Sequence, residues 1–254
     1  MRPYIGIADF TSFGQVREML SVFNCHLSKG SSRQLHVGVM MSYKTFCGIP
    51  SKWRDVFPPK GQIPEIFNSN QVYNCLHYVD YDDKTDFRIL SQAILYGGTN
   101  IHAIQLDMVW PDPGMIASGV HASRKHVEVI LQIGKNALEQ ADNDPQVVVE
   151  KLRDYEDVIH RVLLDKSMGR GIGLDAQSLL PFARAIRKNF PQMGIGAAGG
   201  LGPDTMHLIE PFIEEFPDIS IDAQSKLRLS GNALDPISWG MARRYLAKAL
   251  EVLP

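Results

Sequence analysis

Short apolar runs, rich in β-branched residues, recur along the chain at 4–8, 35–41, 72–79, 101–106, 127–133, 162–164, 193–198 and 219–221. They lack the clean alternation of a half-exposed strand, so each reads as a strand covered on both faces. Amphipathic stretches lie between them. Val16, Met19, Leu20 and Phe23 share one helical face over 15–23, and Leu179, Leu180, Ala183 and Ile186 do so over 179–189. Arg187 and Lys188 sit where the dipole of that second helix favours cations. A further helix is expected over 241–252. Eight strands in 254 residues leave about 32 residues per unit, room for one strand, one helix and two turns. The pattern predicts an α/β fold, a single (β/α)8 TIM barrel over 1–254, ahead of an open doubly wound sheet.

The longest break in the rhythm is 42–70, an extended loop after strand 2. It holds Pro50, Pro58, Pro59 and Pro64 together with Phe46, Trp53, Phe57 and Phe67. Connections this long are usually lids or interaction segments. A lid-like excursion is expected; the other reading is an ordered segment packing its own aromatic residues.

Charge and cysteine content narrow the function classes. Lys and Arg number 26 against 28 Asp and Glu, a net charge of −2 with no basic stripe, so nucleic acid is not expected as a partner. No apolar run approaches the ~18 residues of a membrane span, and no membrane partner is expected. Cys25, Cys47 and Cys75 are too scattered for a disulfide framework and read as free thiols in a reducing compartment. The apolar N-terminal stretch is too short for a signal-peptide core, and a cytoplasmic location follows as the expectation. His121 and His126 are five apart and miss one helix face. No metal and no cofactor is therefore expected. A homodimer is compatible with the sequence but not required by it.

In a barrel the chemistry belongs at the C-terminal ends of the strands, and glycine-bearing loops follow the last three. They are 165–175, with Gly169, Gly171 and Gly173; 198–204, with Gly199, Gly200 and Gly202; and 222–226, with Ser225 and Lys226. Glycines let backbone N–H groups approach an anion, and Pro203 with Asp204 suits the first turn of a following helix. Gly171, Gly199, Gly200, Ser225 and Lys226 are the expected phosphate-binding residues, and a phosphorylated small molecule the expected partner.

These segments resemble phosphoribosylanthranilate isomerase. Val162–Asp165 with Gly169, Gly171 and Asp175 is similar to that family's Leu-Leu-Asp and glycine-rich run. Gly199-Gly200-Leu201-Gly202-Pro203-Asp204 resembles its Gly-Gly-Leu-x-Pro-Glu segment, and 221–235 its final Val-Asp-Val-Ser-Ser-Gly stretch. Ala103–Asp107 and Ile7–Thr11 match its fourth-strand and opening segments in the same order. The resemblance implies a phosphate-binding barrel of the tryptophan-biosynthesis kind, with Asp165 as the general acid. It also places Ala8 where the family has its catalytic cysteine, Ile172 where it has a lysine, and Lys226 where it has a glycine.

The rearrangement needs an acid for the ring oxygen and a base for the C2 proton. Asp9, next to Ala8, is the expected replacement base, although a strand period of two turns it away if residue 8 faces the ligand. Gln105 and Asp107, at i and i+2, share one strand face and are expected to touch substrate, as is Asp222. Lys226 is a point charge for phosphate or a Schiff-base candidate. Two functions follow. One is a sugar-phosphate isomerase or lyase with Asp165 as acid. The other is a non-catalytic or chemically diverged barrel that binds a phosphorylated ligand. An interaction role for 42–70 has no motif behind it.

Overall fold

The computed structural model describes residues 1–167 and 173–254. Eight parallel strands run in chain order: β1 (Tyr4–Ile7), β2 (Gln34–Ser42), β3 (Tyr73–Val79), β4 (Ala103–Asp107), β5 (Glu128–Gly134), β6 (Arg161–Asp165), β7 (Gly194–Ala198) and β8 (Ser220–Ala223). β8 pairs back onto β1, which closes the barrel. Each expected strand is present, and the chain is a (β/α)8 TIM barrel.

Helices cover the outside: α1 (Phe13–His26), α2 (Tyr43–Cys47), α3 (Ile63–Ile66), α4 (Phe87–Tyr96), α5 (Pro113–Ser123), α6 (Lys135–Glu139), α7 (Pro145–Leu152), α8 (Ala176–Asn189), α9 (Glu210–Glu215) and α10 (Trp239–Val252). The expected helices fall within α1, α8 and α10. Their starts are specified locally. Ser12 and Gln15 form a capping box on α1, while Asp112 and Asp144 cap α5 and α7 just ahead of a proline at the first helical position.

The period of two divides each strand between two cores. Ile5, Ile7, Leu35, Val37 and Val39 point outward into the main core against the helices. Tyr4, Tyr73, Cys75, Ala103, Ile130 and Leu163 point inward and fill the barrel. Polar side chains cap this inner column at both ends: Arg161 and Glu128 at the N-terminal floor, and the strand-end carboxylates at the mouth.

Segment 42–70 is built into the wall rather than strung across it. Ser42 caps α2, and Gly48 ends that helix in the left-handed region at φ 71°. Its far half supplies Ile63, Ile66 and Phe67 to the main core. Between them Trp53 and Phe57 stack at 5.3 Å, and Phe57 packs with Ala8 and Met40 above the mouth. The segment therefore packs its own aromatic residues and also roofs one side of the mouth.

After β7 the expected helix start at 203–204 is replaced by a turn. Thr205 Oγ1 donates back to Gly200 O at 2.7 Å, and a 3-10 turn over Met206–Ile209 precedes α9. No helix among the described residues is long and apolar enough to cross a membrane.

Candidate active site

Strand register sets the geometry of the mouth. Asp165 on β6 and Asp222 on β8 are both level with Ala198 on β7, so they stand two strands apart with only a methyl group between them. Two strand spacings make about 10 Å. Asp222 is also level with Gly6 on β1, where a Cβ would lie 2.6 Å from its Oδ1 and 2.9 Å from His36 Nδ1. The bare glycine leaves room for both the Asp222 and the His36 side chains inside the barrel. His77 on β3 is level with Gln105 on β4, one turn of the pleat below Asp107.

His77, Gln105, Gln132, Asp165, Asp107 and Tyr81 form one polar network, with Gln105 Nε2 3.3 Å from His77 Nε2. Gln105 Nε2 donates to Gln132 Oε1 at 2.8 Å, and Gln132 Nε2 reaches Asp165 Oδ2 at 3.5 Å. Ser167 N donates to Asp165 Oδ1 at 2.7 Å. Tyr81 donates its hydroxyl proton to Asp107 Oδ2 at 2.5 Å, and His77 Nε2 lies 3.9 Å from the same oxygen. Asp222 Oδ1 and Gln105 Oε1 are buried without a hydrogen-bond partner among the described residues. Orphan acceptors of this kind are costly unless a ligand supplies the donors.

Electrostatics follow from desolvation with no Lys or Arg partner for these carboxyls among the described residues. Desolvation raises Asp165, with hydrogen bonds from Ser167 opposing only in part and the Asp107 charge adding to the rise. Desolvation pushes Asp222 up to about 7, against the pull of His77 and the Ala223 N–H. His77 behaves differently. Burial acts to lower it, but the Asp107 carboxylate, with Asp222 and Asp9 behind it, outweighs burial and raises it. The mouth thus holds two carboxyls displaced toward neutrality and an imidazole displaced toward its charged form.

Two connected spaces open above this network. A narrow throat of about 40 Å3 is lined by Ala8, Asp165, Gly199, Gly200, Asp222 and Ser225 among others. A larger cavity of about 510 Å3 continues under the 42–70 roof, past Tyr43, Trp53, Phe57 and Tyr81. His77, Gln132, Asp165 and Gln224 line both. At the glycine end of the throat, Gly199 has φ +112° and a Cβ there would meet Asp165 Oδ1 and Ser167 Cβ at 3.0 Å. A side chain at 199 is therefore excluded by space and by backbone conformation together. The Gly199 and Gly200 N–H groups have no protein acceptor among the described residues.

The expected site residues separate into three groups. Asp165, Asp222, Gln105, Gly199, Gly200 and Ser225 line the throat, and Asp107 lines the cavity beside it. Asp9 and Lys226 do not. β1 ends at Ile7, and Asp9 adopts the left-handed region at φ 68° with its Oδ2 accepting from Gln224 Nε2 at 3.0 Å and from Arg228. That ion pair faces a neighbouring rim cavity lined by Thr11, Phe57, Asp235 and Trp239. Lys226 lies half-buried in a 3-10 turn, packed so closely that a Cβ on Gly202 would come within 2.7 Å of its own Cβ. Gly171 lies outside the described residues.

Sequence reasoning passed over His77, Gln132 and Tyr81. The alternation that singled out Gln105 and Asp107 on β4 also places His77 near the end of β3 and Gln132 near the end of β5, both facing inward. Metal spacing is no guide to His77, and among the described residues no group of three or more His, Cys, Asp or Glu is placed to hold a metal ion.

The barrel is similar to several solved enzymes. Tryptophan synthase subunit alpha from Legionella pneumophila shares 11% identity over 99% of this chain and 91% of its own, with a TM-score of 0.57. Phosphonopyruvate hydrolase shares 14% over 87% and 74%, at 0.53, and KGPDC from Streptococcus mutans shares 10% over 100% and 99%, also at 0.53. At these identities the likeness is one of fold. No protein-family model and no curated protein matches the sequence.

Proposed function

We propose that the chain is an enzyme that transfers a proton on a phosphorylated small molecule, an isomerase or lyase in which Asp165 is the general acid. The observation that carries this reading is the position of Asp165: partly buried, its carboxyl raised by desolvation, and within one throat of Gly199, Gly200 and Ser225. A carboxyl whose hold on its proton is strengthened by desolvation, beside backbone N–H groups that have no protein acceptor among the described residues, can deliver a proton to a substrate anchored by its phosphate. Asp222 faces it across Ala198 and serves as the proton acceptor once ionised, a role its value of about 7 fits.

The resemblance to phosphoribosylanthranilate isomerase supplies the finer version of this proposal. Ala8 lines the throat with a methyl group, which accepts no proton. If that reaction runs here, the base is Asp222, one strand over from β1, and not Asp9, whose carboxylate is engaged by Arg228. The same methyl group favours a second reading, a barrel that keeps the phosphate cup and binds without turnover.

Binding and turnover are tested separately. A sugar phosphate at 100 times its Kd stabilises the fold by about 2.7 kcal/mol. A panel including a phosphoribosyl aryl amine should therefore raise Tm, and in D2O the bound compound should incorporate solvent deuterium. Asp165→Asn should keep the Tm shift and lose the exchange. A shift without exchange in the unaltered chain selects the binding-only reading. No shift across the panel overturns both. Growth of a tryptophan-requiring strain carrying this chain would establish the family reaction itself.

A further inference from the structure

The end of the barrel away from the mouth carries a second built space. A basin of about 590 Å3 lies under the floor, lined by Arg2, Tyr73, His102, Lys125, His160 and Arg161 among others. We propose that this basin binds a small oxyanion of phosphate-like size and charge. The assignment does not depend on what the mouth does.

Arg161 is the centre of the basin. It is only 3% exposed, and its guanidinium carbon lies 5.6 Å from the Tyr4 ring centre and 5.4 Å from that of Tyr73. Nε donates to Glu128 Oε2 at 2.7 Å, which fixes the plane of the fork. Neither Nη nitrogen has an acceptor among the described residues, and neither is sealed from solvent. A buried guanidinium presents rigid, parallel donors suited to an oxyanion. Gly194 makes the seat: a Cβ there would lie 2.9 Å from Arg161 Cγ and 3.3 Å from Nη1.

Two histidines add donors of known polarity. His102 Nδ1 accepts from Asn74 N at 3.1 Å, and His160 Nδ1 accepts from Val129 N at 3.0 Å. With Nδ1 used as acceptor, the ring proton sits on Nε2. Burial lowers both histidines, so at neutral pH they remain uncharged Nε2–H donors.

The charge balance favours an anion. Glu128 is the acid of the lining, and its Oε2 already accepts from Arg161 and from the Tyr73 hydroxyl at 2.5 Å. Arg2 donates to the Ser32 carbonyl at 2.7 Å and to the Arg33 carbonyl at 3.3 Å, with no acidic partner among the described residues. Lys125 has no acidic partner among the described residues. Two positive charges are left uncompensated on a chain whose net charge is −2, so the local field opposes the global one.

The test is a titration of the full chain with inorganic phosphate, followed by backbone amide NMR and controlled with sodium chloride at matched ionic strength. Saturable shifts are expected at the Asn74 and Val129 amides, whose protons point at the two histidine rings, and at Lys125. Lys125→Glu, an edge substitution that leaves the barrel core untouched, should weaken this phase roughly tenfold. His160→Gln should move the Val129 response. Three results each overturn the proposal: shifts no larger than chloride produces, shifts confined to Gly199 and Gly200, or wild-type affinity in Lys125→Glu.

Discussion

The floor and the mouth of the barrel both hold carboxylates at least partly withdrawn from water, and they treat them in opposite ways. At the floor, burial acts to raise Glu128, but the Arg161 guanidinium and the Tyr73 hydroxyl outweigh it and hold the group below its ordinary range. At the mouth, Asp165 and Asp222 have amides, a serine and an imidazole around them but, among the described residues, no guanidinium or ammonium, and both rise. A paired buried charge braces a structure. An unpaired one stores a protonation equilibrium near neutral pH that a substrate can draw upon. The difference comes from a single choice, whether the inward position beside the acid carries a fixed cation.

The comparison breaks most visibly through Asp165. Asp165→Asn removes the acid without altering the side-chain shape, and turnover should fall by roughly 10²–10⁴. Circular dichroism and Tm should stay at or above wild-type values, because the substitution removes an uncompensated carboxyl. Loss of fold instead would place Asp165 among the bracing groups.

Asp222 gives the next effect, and its sign is opposite to that of the floor. Its value climbs from an ordinary 3.8 to about 7 on folding, so the folded chain holds a proton that the unfolded chain releases. Stability is therefore lost as pH rises through that window, by at most about 4 kcal/mol. Asp222→Asn should flatten the loss and raise Tm at pH 8, read by thermal melts between pH 4 and 8.

Glu128→Gln tests the floor. Removing the carboxylate strands Arg161, and with Glu128 itself partly exposed the cost should be about 2 kcal/mol, or roughly 4–8 °C in Tm for a chain of this size. Glu128 contributes its stability above the ordinary glutamate range and loses it as pH falls through its lowered value. The wild-type chain should thus lose floor stability only in acid, where the mouth is most stable. The smallest effect is expected from Lys44→Ala. Lys44 and Asp82 pair at 2.9 Å with about half of each side chain exposed, so Tm should not change measurably.

The strands were legible because burial on both faces writes an apolar run into each, and the count of those runs fixed the barrel. Helix starts were legible where a cap is local, as at Ser12 and Asp144. The strand-end rule assembled Asp107, Asp165 and Asp222 before any geometry was known. What sequence could not show is pairing between distant elements. Asp9 and Arg228 are 219 residues apart, and no local pattern joins them. Glu128 lies inside an expected strand and Arg161 one residue ahead of another, and only the closed barrel brings them together on one floor. The turn after β7 escaped for a related reason: Thr205 bonds back to Gly200, and that contact competes with the helix start that Pro203 and Asp204 suggest.

The central claim is that the mouth holds a carboxyl, without a Lys or Arg partner among the described residues, that titrates near neutral pH. It is tested most directly by a 13C titration of aspartate carboxyls, with the Asp222 signal assigned by its absence in Asp222→Asn. A midpoint near 7 is predicted for Asp222, above the midpoints of solvent-exposed aspartates in the same spectrum. A midpoint below about 4.5, in the ordinary range for the residue, would contradict the account.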